Sequence, residues 1–118
     1  MKVQELDVWN AAIDLAAEAY QLADKFPETT SHGLAYHLKA SVTHLPSNIA
    51  AAASRKYGRE SLNYLFRAKG IIYEVESMYF LAAKLDYITE EDLNQHLESI
   101  DSAKRLLFGF IKYYKKSS

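Results

Sequence analysis

The sequence predicts an all-α fold: an antiparallel, up-down-up-down four-helix bundle forming one domain over residues 1–118. Four long segments repeat apolar residues every three or four positions, the spacing of a helix face. Short turn-forming stretches separate them, at residues 26–33, 57–58 and 86–88. Four glycines and two prolines leave little material for a turn-rich all-β chain. At 118 residues, such a domain buries roughly two-thirds of the surface it exposes unfolded.

The first helix is predicted over residues 6–25. It carries two adjacent apolar stripes. One runs through Leu6, Trp9, Ile13, Ala16, Tyr20 and Ala23, the other through Val8, Ala12, Leu15, Ala19, Leu22 and Phe26. Together they cover roughly half the circumference, wider than the ~100° of a one-sided core face. Pro27 ends this helix, and Thr29, Thr30 and Ser31 offer N-caps for the next.

The second helix, predicted to reach Arg55, has its core stripe at Leu34, Leu38, Val42, Leu45, Ile49 and Ala52. Pro46 sits in its middle, where it removes the N–H that would meet the Val42 carbonyl, at about 3 kcal/mol. A restart there would need Leu45 as N-cap, a poor one, and four alanines follow at 50–53. A continuous helix kinked at Pro46 is expected.

Tyr57-Gly58 marks the second turn. The third helix, over residues 59–85, is apolar almost all round, with Leu62, Leu65, Phe66, Ile72, Val75, Tyr79, Phe80 and Ala83 but also Ile71, Met78, Ala82 and Leu85. A helix of that kind is expected to be buried on most sides. Its aromatics, Tyr73 and Tyr79 among them, read as core. Gly70 costs about 1 kcal/mol mid-helix, which suggests close approach of a neighbouring helix. The fourth helix opens on the clearest start signal in the chain. Thr89 is the N-cap, Asp92 stands three residues on, and Ile88 and Leu93 form a hydrophobic staple. Its stripe is Leu93, Leu97, Ile100, Ala103, Leu107, Phe110, Ile111 and Tyr114.

Composition narrows the function classes. Apolar residues make up 49% and charged residues 25%, as in ordinary globular proteins. The absence of cysteine excludes disulfides and thiolate metal sites. No apolar run approaches the ~20 residues of a membrane span. Residues 1–5 lack the pattern of a signal peptide, so a cytoplasmic protein is expected, with no membrane partner.

The net charge of −1 hides alternating blocks. Residues 1–30 carry two basic and six acidic side chains, 31–70 six and one, 71–101 one and eight, and 102–118 five and none. Pairing between neighbouring antiparallel helices is the plainest reading of such blocks. No phosphate loop, HExxH or GxSxG elbow is present. His37 and His44 lie about 10 Å apart along one helix, too far to share a metal. Asp92 and His96 are four apart, not the Glu-x-x-His of di-iron bundles. Glu74 and Glu76 point to different faces of one helix and make no acid/base pair. No enzyme activity, metal or cofactor is expected.

The run Leu45-Pro46-Ser47-Asn48-Ile49-Ala50, then Arg55, Glu60 and Ala68-Lys69-Gly70 with Glu74 and Glu76, resembles the four helix bundle protein family. Those proteins are encoded by intervening sequences inside bacterial 23S rRNA genes. Val8-Trp9, Phe26-Pro27, Gly33-Leu34 and the stretch from Leu85 to Glu91 extend the resemblance along the whole chain. Where the family usually has Glu-Gly after this run, Ala51 and Ala52 stand here, and Ile71 replaces a usual serine. The resemblance implies a ring-shaped homopentamer of poorly defined role.

Two function classes follow. One is a non-enzymatic oligomer that binds RNA or DNA, the other a structural or protein-interaction module with no nucleic-acid role. A pI near 6.4 sits poorly with a strong general nucleic-acid binder. The local cluster Arg55, Lys56, Tyr57 and Arg59 is the expected contact, its cations suited to phosphate and its tyrosine to an unpaired base. The expected oligomer interface is Val8, Leu15 and Leu22 on the first helix with Ile71 and Met78 on the third.

Overall fold

The computed structural model describes residues 2–27, 32–55 and 57–117. After a single 3₁₀ turn at Val3–Glu5 come α1 (Asp7–Ala23), α2 (Leu34–Ala53), α3 (Arg59–Lys84) and α4 (Glu90–Ser117). Each helix packs on its neighbours in the order α1, α2, α3, α4 and back to α1. Contacts along each seam fix the directions. Late α1 meets early α2 through Tyr20 to Thr43 and Asp24 to Lys39. The turn before α3 meets late α4 through Tyr57 and Tyr113, and late α3 meets early α4 through Tyr79 and His96. The four helices therefore alternate up and down, as expected.

The buried stripes decide which face turns inward. On α1 it is Val8, Ala12, Leu15, Ala19 and Leu22. On α2 it is Leu38, Val42, Leu45, Ile49 and Ala52. Leu65, Ala68, Ile72, Val75, Tyr79 and Ala82 on α3 face Leu93, Ile100, Ala103, Leu107 and Ile111 on α4. Burying a side chain of this size stabilises by roughly 1.5–3 kcal/mol, so these stripes hold the bundle together.

Helix 2 runs through Pro46 without a break, and Pro46 itself is buried. Polar side chains flank it and bond to carbonyls of the preceding turn. Thr43 Oγ1 donates to the Lys39 carbonyl at 2.6 Å, and Asn48 Nδ2 to the His44 carbonyl at 2.7 Å. Ser47 Oγ reaches the His44 carbonyl at 3.2 Å. Side-chain bonds of this kind bind carbonyls locally around a weakened helix ladder.

The helix ends follow local chemistry. Thr89 Oγ1 accepts the Asp92 N–H at 3.1 Å, the predicted cap of α4, and Ile88 and Leu93 are both buried. The α2–α3 turn needs Gly58, whose φ of 128° lies where side chains are strained. Ser61 Oγ, buried, donates to the Ala52 carbonyl at 3.2 Å and ties α3 to the end of α2. The proposed α2 caps Thr29, Thr30 and Ser31 lie outside the described residues; the described cap is Gly33.

Three expectations are corrected. Helix 3 is not buried on most sides: Phe66, Tyr73, Phe80, Leu81 and Leu85 are exposed, because α3 packs chiefly on α2 and α4. Tyr73 is thus a surface residue, while Tyr79 is core. Gly70 does not admit a neighbouring helix of this chain, since nothing lies within 4 Å of a Cβ built on it.

Candidate nucleic-acid interface

Antiparallel packing places the end of α2, the start of α3 and the end of α4 at one end of the bundle. Each of these segments comes from a basic block of the sequence. The expected pairing between neighbouring helices joins Lys39 to Asp24 and Lys104 to Glu76, while the cations at this end lie beside one another. Among the described residues there are three ion pairs, Lys39 with Asp24, Arg55 with Glu60 and Lys104 with Glu76. The last is the most sheltered, with both carboxylate oxygens within 3.0 Å of Lys104 Nζ. Lys69 of α3 and Lys112 and Lys115 of α4 gather in one groove.

Of the four predicted contact residues, Arg55 is already engaged. Its Nε lies 3.2 Å from Glu60, one guanidinium nitrogen donates to the Ala51 carbonyl at 2.7 Å, and the group covers the Tyr64 ring at 4.6 Å. Arg55 thus closes the end of α2 and braces the turn. Lys56 lies outside the described residues. Tyr57 is 44% exposed, its hydroxyl 2.8 Å from that of Tyr113 and its ring edge-on to Tyr113 and Tyr114. The hydrogen bond to Tyr113, then burial, pushes the Tyr57 phenol above its ordinary value. Arg59 is exposed at the first position of α3.

A neighbouring groove escaped the sequence reading. Between α3 and α4 a trough of about 300 Å³ is lined by Phe66, Lys69, Phe108, Ile111, Lys112 and Lys115. Three ammonium groups line it and no carboxylate does. The lysines cross over: Lys115 of α4 sits 5.5 Å from the Phe66 ring of α3, and Lys69 of α3 sits 5.2 Å from the Phe108 ring of α4. The signal was in the spacing. Phe66 and Lys69 are three apart, and Phe108, Lys112 and Lys115 share one helical face. Only the antiparallel pairing shows that the two faces meet. Among the described residues, the carboxylates at this end include Glu60, held by Arg55, and Glu5 and Asp7 on the α1 side.

Three of the five expected interface residues are corrected. Val8, Leu15 and Leu22 are 5%, 1% and 1% exposed, inside the core. Of the two stripes on α1, the second faces inward, and the first leaves Ile13 and Tyr20 exposed and Trp9 half-buried. Ile71 and Met78 are half-buried beside the core. Ile71 lines a shallow groove between α2 and α3, with Ser41, His44, Asn48, Arg67, Gly70 and Glu74.

These features define a class: an up-down helical bundle with a basic, aromatic end. No helix among the described residues is long and apolar enough to cross a membrane. The chain belongs to the 23S rRNA-intervening sequence protein family, whose model matches residues 4–109. It is similar in fold to the crystal structure of a protein of unknown function from the S23 ribosomal protein family of Bacteroides thetaiotaomicron. The two share 21% sequence identity with a TM-score of 0.78, over 89% of this chain and 98% of that one. No curated protein matches the chain.

Proposed function

We propose that this chain is a non-enzymatic, oligomeric helical-bundle protein that binds RNA or DNA through its basic end. The observation that carries this reading is the α3–α4 groove, where Lys69, Lys112 and Lys115 converge without a carboxylate. Convergent lysines suit phosphate oxygens, and each contact releases counterions from the nucleic acid. Arg59 and Tyr57 extend the same end. Arg55 acts indirectly, by holding the turn that presents them. Assembly would repeat this surface, so that several weak contacts act together. The homopentamer implied by family resemblance is proposed on that basis, with the outer stripe of Trp9, Ile13 and Tyr20 replacing Val8, Leu15 and Leu22 as its contact.

A second reading, a protein-interaction module with no nucleic-acid role, is favoured by the apolar surface at Phe80, Leu81 and Leu85, at the other end of α3 from the Lys69–Lys112–Lys115 groove. Filter binding of labelled RNA by the intact protein separates the two. The first reading expects retention at low salt that falls steeply as salt rises. Absence of a complex at low salt, with light scattering still reporting an oligomer, would leave the second.

A further inference from the structure

Resting on that reading, we propose that the groove takes single-stranded nucleic acid, its unpaired bases stacking on Phe66 and Phe108 in place of the lysines now over those rings. A duplex keeps its base faces inside its own stack and shows a protein mainly phosphate, sugar and base edges. Lysines alone would serve that ligand. Here each cation is coupled to an aromatic face from the facing helix, Lys115 with Phe66 and Lys69 with Phe108. Phe66 is 43% exposed, which the packing of the bundle does not require.

Exchange at these rings is physically favourable. An exposed lysine over a phenylalanine is a weak contact, and a base on the same face holds more tightly. The displaced ammonium swings on a flexible four-carbon stem and stays in the groove, where the phosphate next to the stacked base lies. Each ring and lysine thus takes one base and one phosphate. Buried Ile111 forms an apolar floor between them, and Lys112 adds a third cation. A second copy of the chain is a poorer occupant when it presents this same groove, because like charges would face each other.

The test uses the intact protein and fluorescence anisotropy at low salt. The probes are a labelled oligoadenylate of about 12 nucleotides, within the span a stacking site covers, and an RNA duplex of the same length. Wild type should prefer the single strand. Phe66→Leu should weaken oligoadenylate binding roughly 5-fold or more and leave duplex binding unchanged, while Phe66→Tyr, which keeps a ring, should bind like wild type. Equal affinity for both probes, or a Phe66→Leu variant that binds oligoadenylate like wild type, overturns the inference and leaves nucleic-acid binding standing. Binding of neither probe removes the underlying reading as well. A Phe66→Leu variant with altered oligomer mass and unchanged oligoadenylate binding assigns the groove to a second copy instead, and also overturns it. Should that variant melt early, photocrosslinking wild type to an iodouridine-substituted single strand decides. An adduct on Phe66 or Phe108 sustains the inference, and adducts only elsewhere overturn it.

Discussion

Around the α2–α3 turn, Arg59, Lys69, Lys112 and Lys115 stand exposed beside Phe66, Tyr57 and Tyr113. Around the α3–α4 turn, at the other end, the exposed charges among the described residues include Asp24, Asp86, Glu90 and Glu91, with Lys25 and Lys84 beside them. The same four helices supply both ends. The difference arises because the charge blocks alternate with roughly the period of a helix pair, and antiparallel folding stacks like blocks together. A net charge of −1 therefore coexists with a strongly basic local surface. The ends also differ in how their turns are built. The basic end turns on Gly58 at φ 128°, the acidic end on Asp86 at φ 62°.

That difference predicts mutational effects of opposite sign. Gly58→Ala places a Cβ in a region only glycine tolerates and should cost about 1–3 kcal/mol, read as a lowered urea midpoint with unchanged slope. At the acidic end, Tyr79 gives the next effect. Its hydroxyl is buried with no protein hydrogen-bond partner among the described residues, and burial, then the nearby Glu18 charge, pushes the phenol well above its ordinary value. The folded state thus holds this proton more tightly than the unfolded chain does. The resulting stability is complete below about pH 10 and lost as pH rises above it. Tyr79→Phe should gain about 1 kcal/mol at neutral pH and blunt alkaline unfolding, measured by thermal melts from neutral to strongly basic pH. Smallest is Asp86→Gly, which relieves a left-handed residue after α3. It should stabilise by about 0.5–1 kcal/mol in the same urea titration.

Much of the fold was legible in the sequence because each signal was local. The α2 and α4 stripes, the Thr89 cap and passage through Pro46 all follow from spacing and propensity within one helix. Choosing between the two stripes of α1 was not local. Both are apolar, and only the positions of α2 and α4 turn Leu15 inward and leave Ile13 outside. The candidate site shows the same limit. Arg55, Tyr57 and Arg59 are near neighbours in sequence, so the sequence groups them as a candidate, but Arg55 is tied to Glu60 across the turn. The α3–α4 groove joins residues far apart in sequence, and no spacing rule within either helix connects Phe66 to Lys115.

The claim that function resides at the basic end meets its most direct test in a paired measurement. Salt-dependent anisotropy of one labelled single-stranded RNA is compared for wild type, for K69Q/K112Q/K115Q at the basic end, and for E90Q/E91Q at the acidic end. The basic-end variant should bind more weakly, with the log–log salt slope reduced by about 0.7 for each phosphate that is no longer neutralised. The acidic-end variant should bind as wild type does or more tightly. A basic-end variant with wild-type affinity and slope, or equal weakening in both variants, would contradict the account.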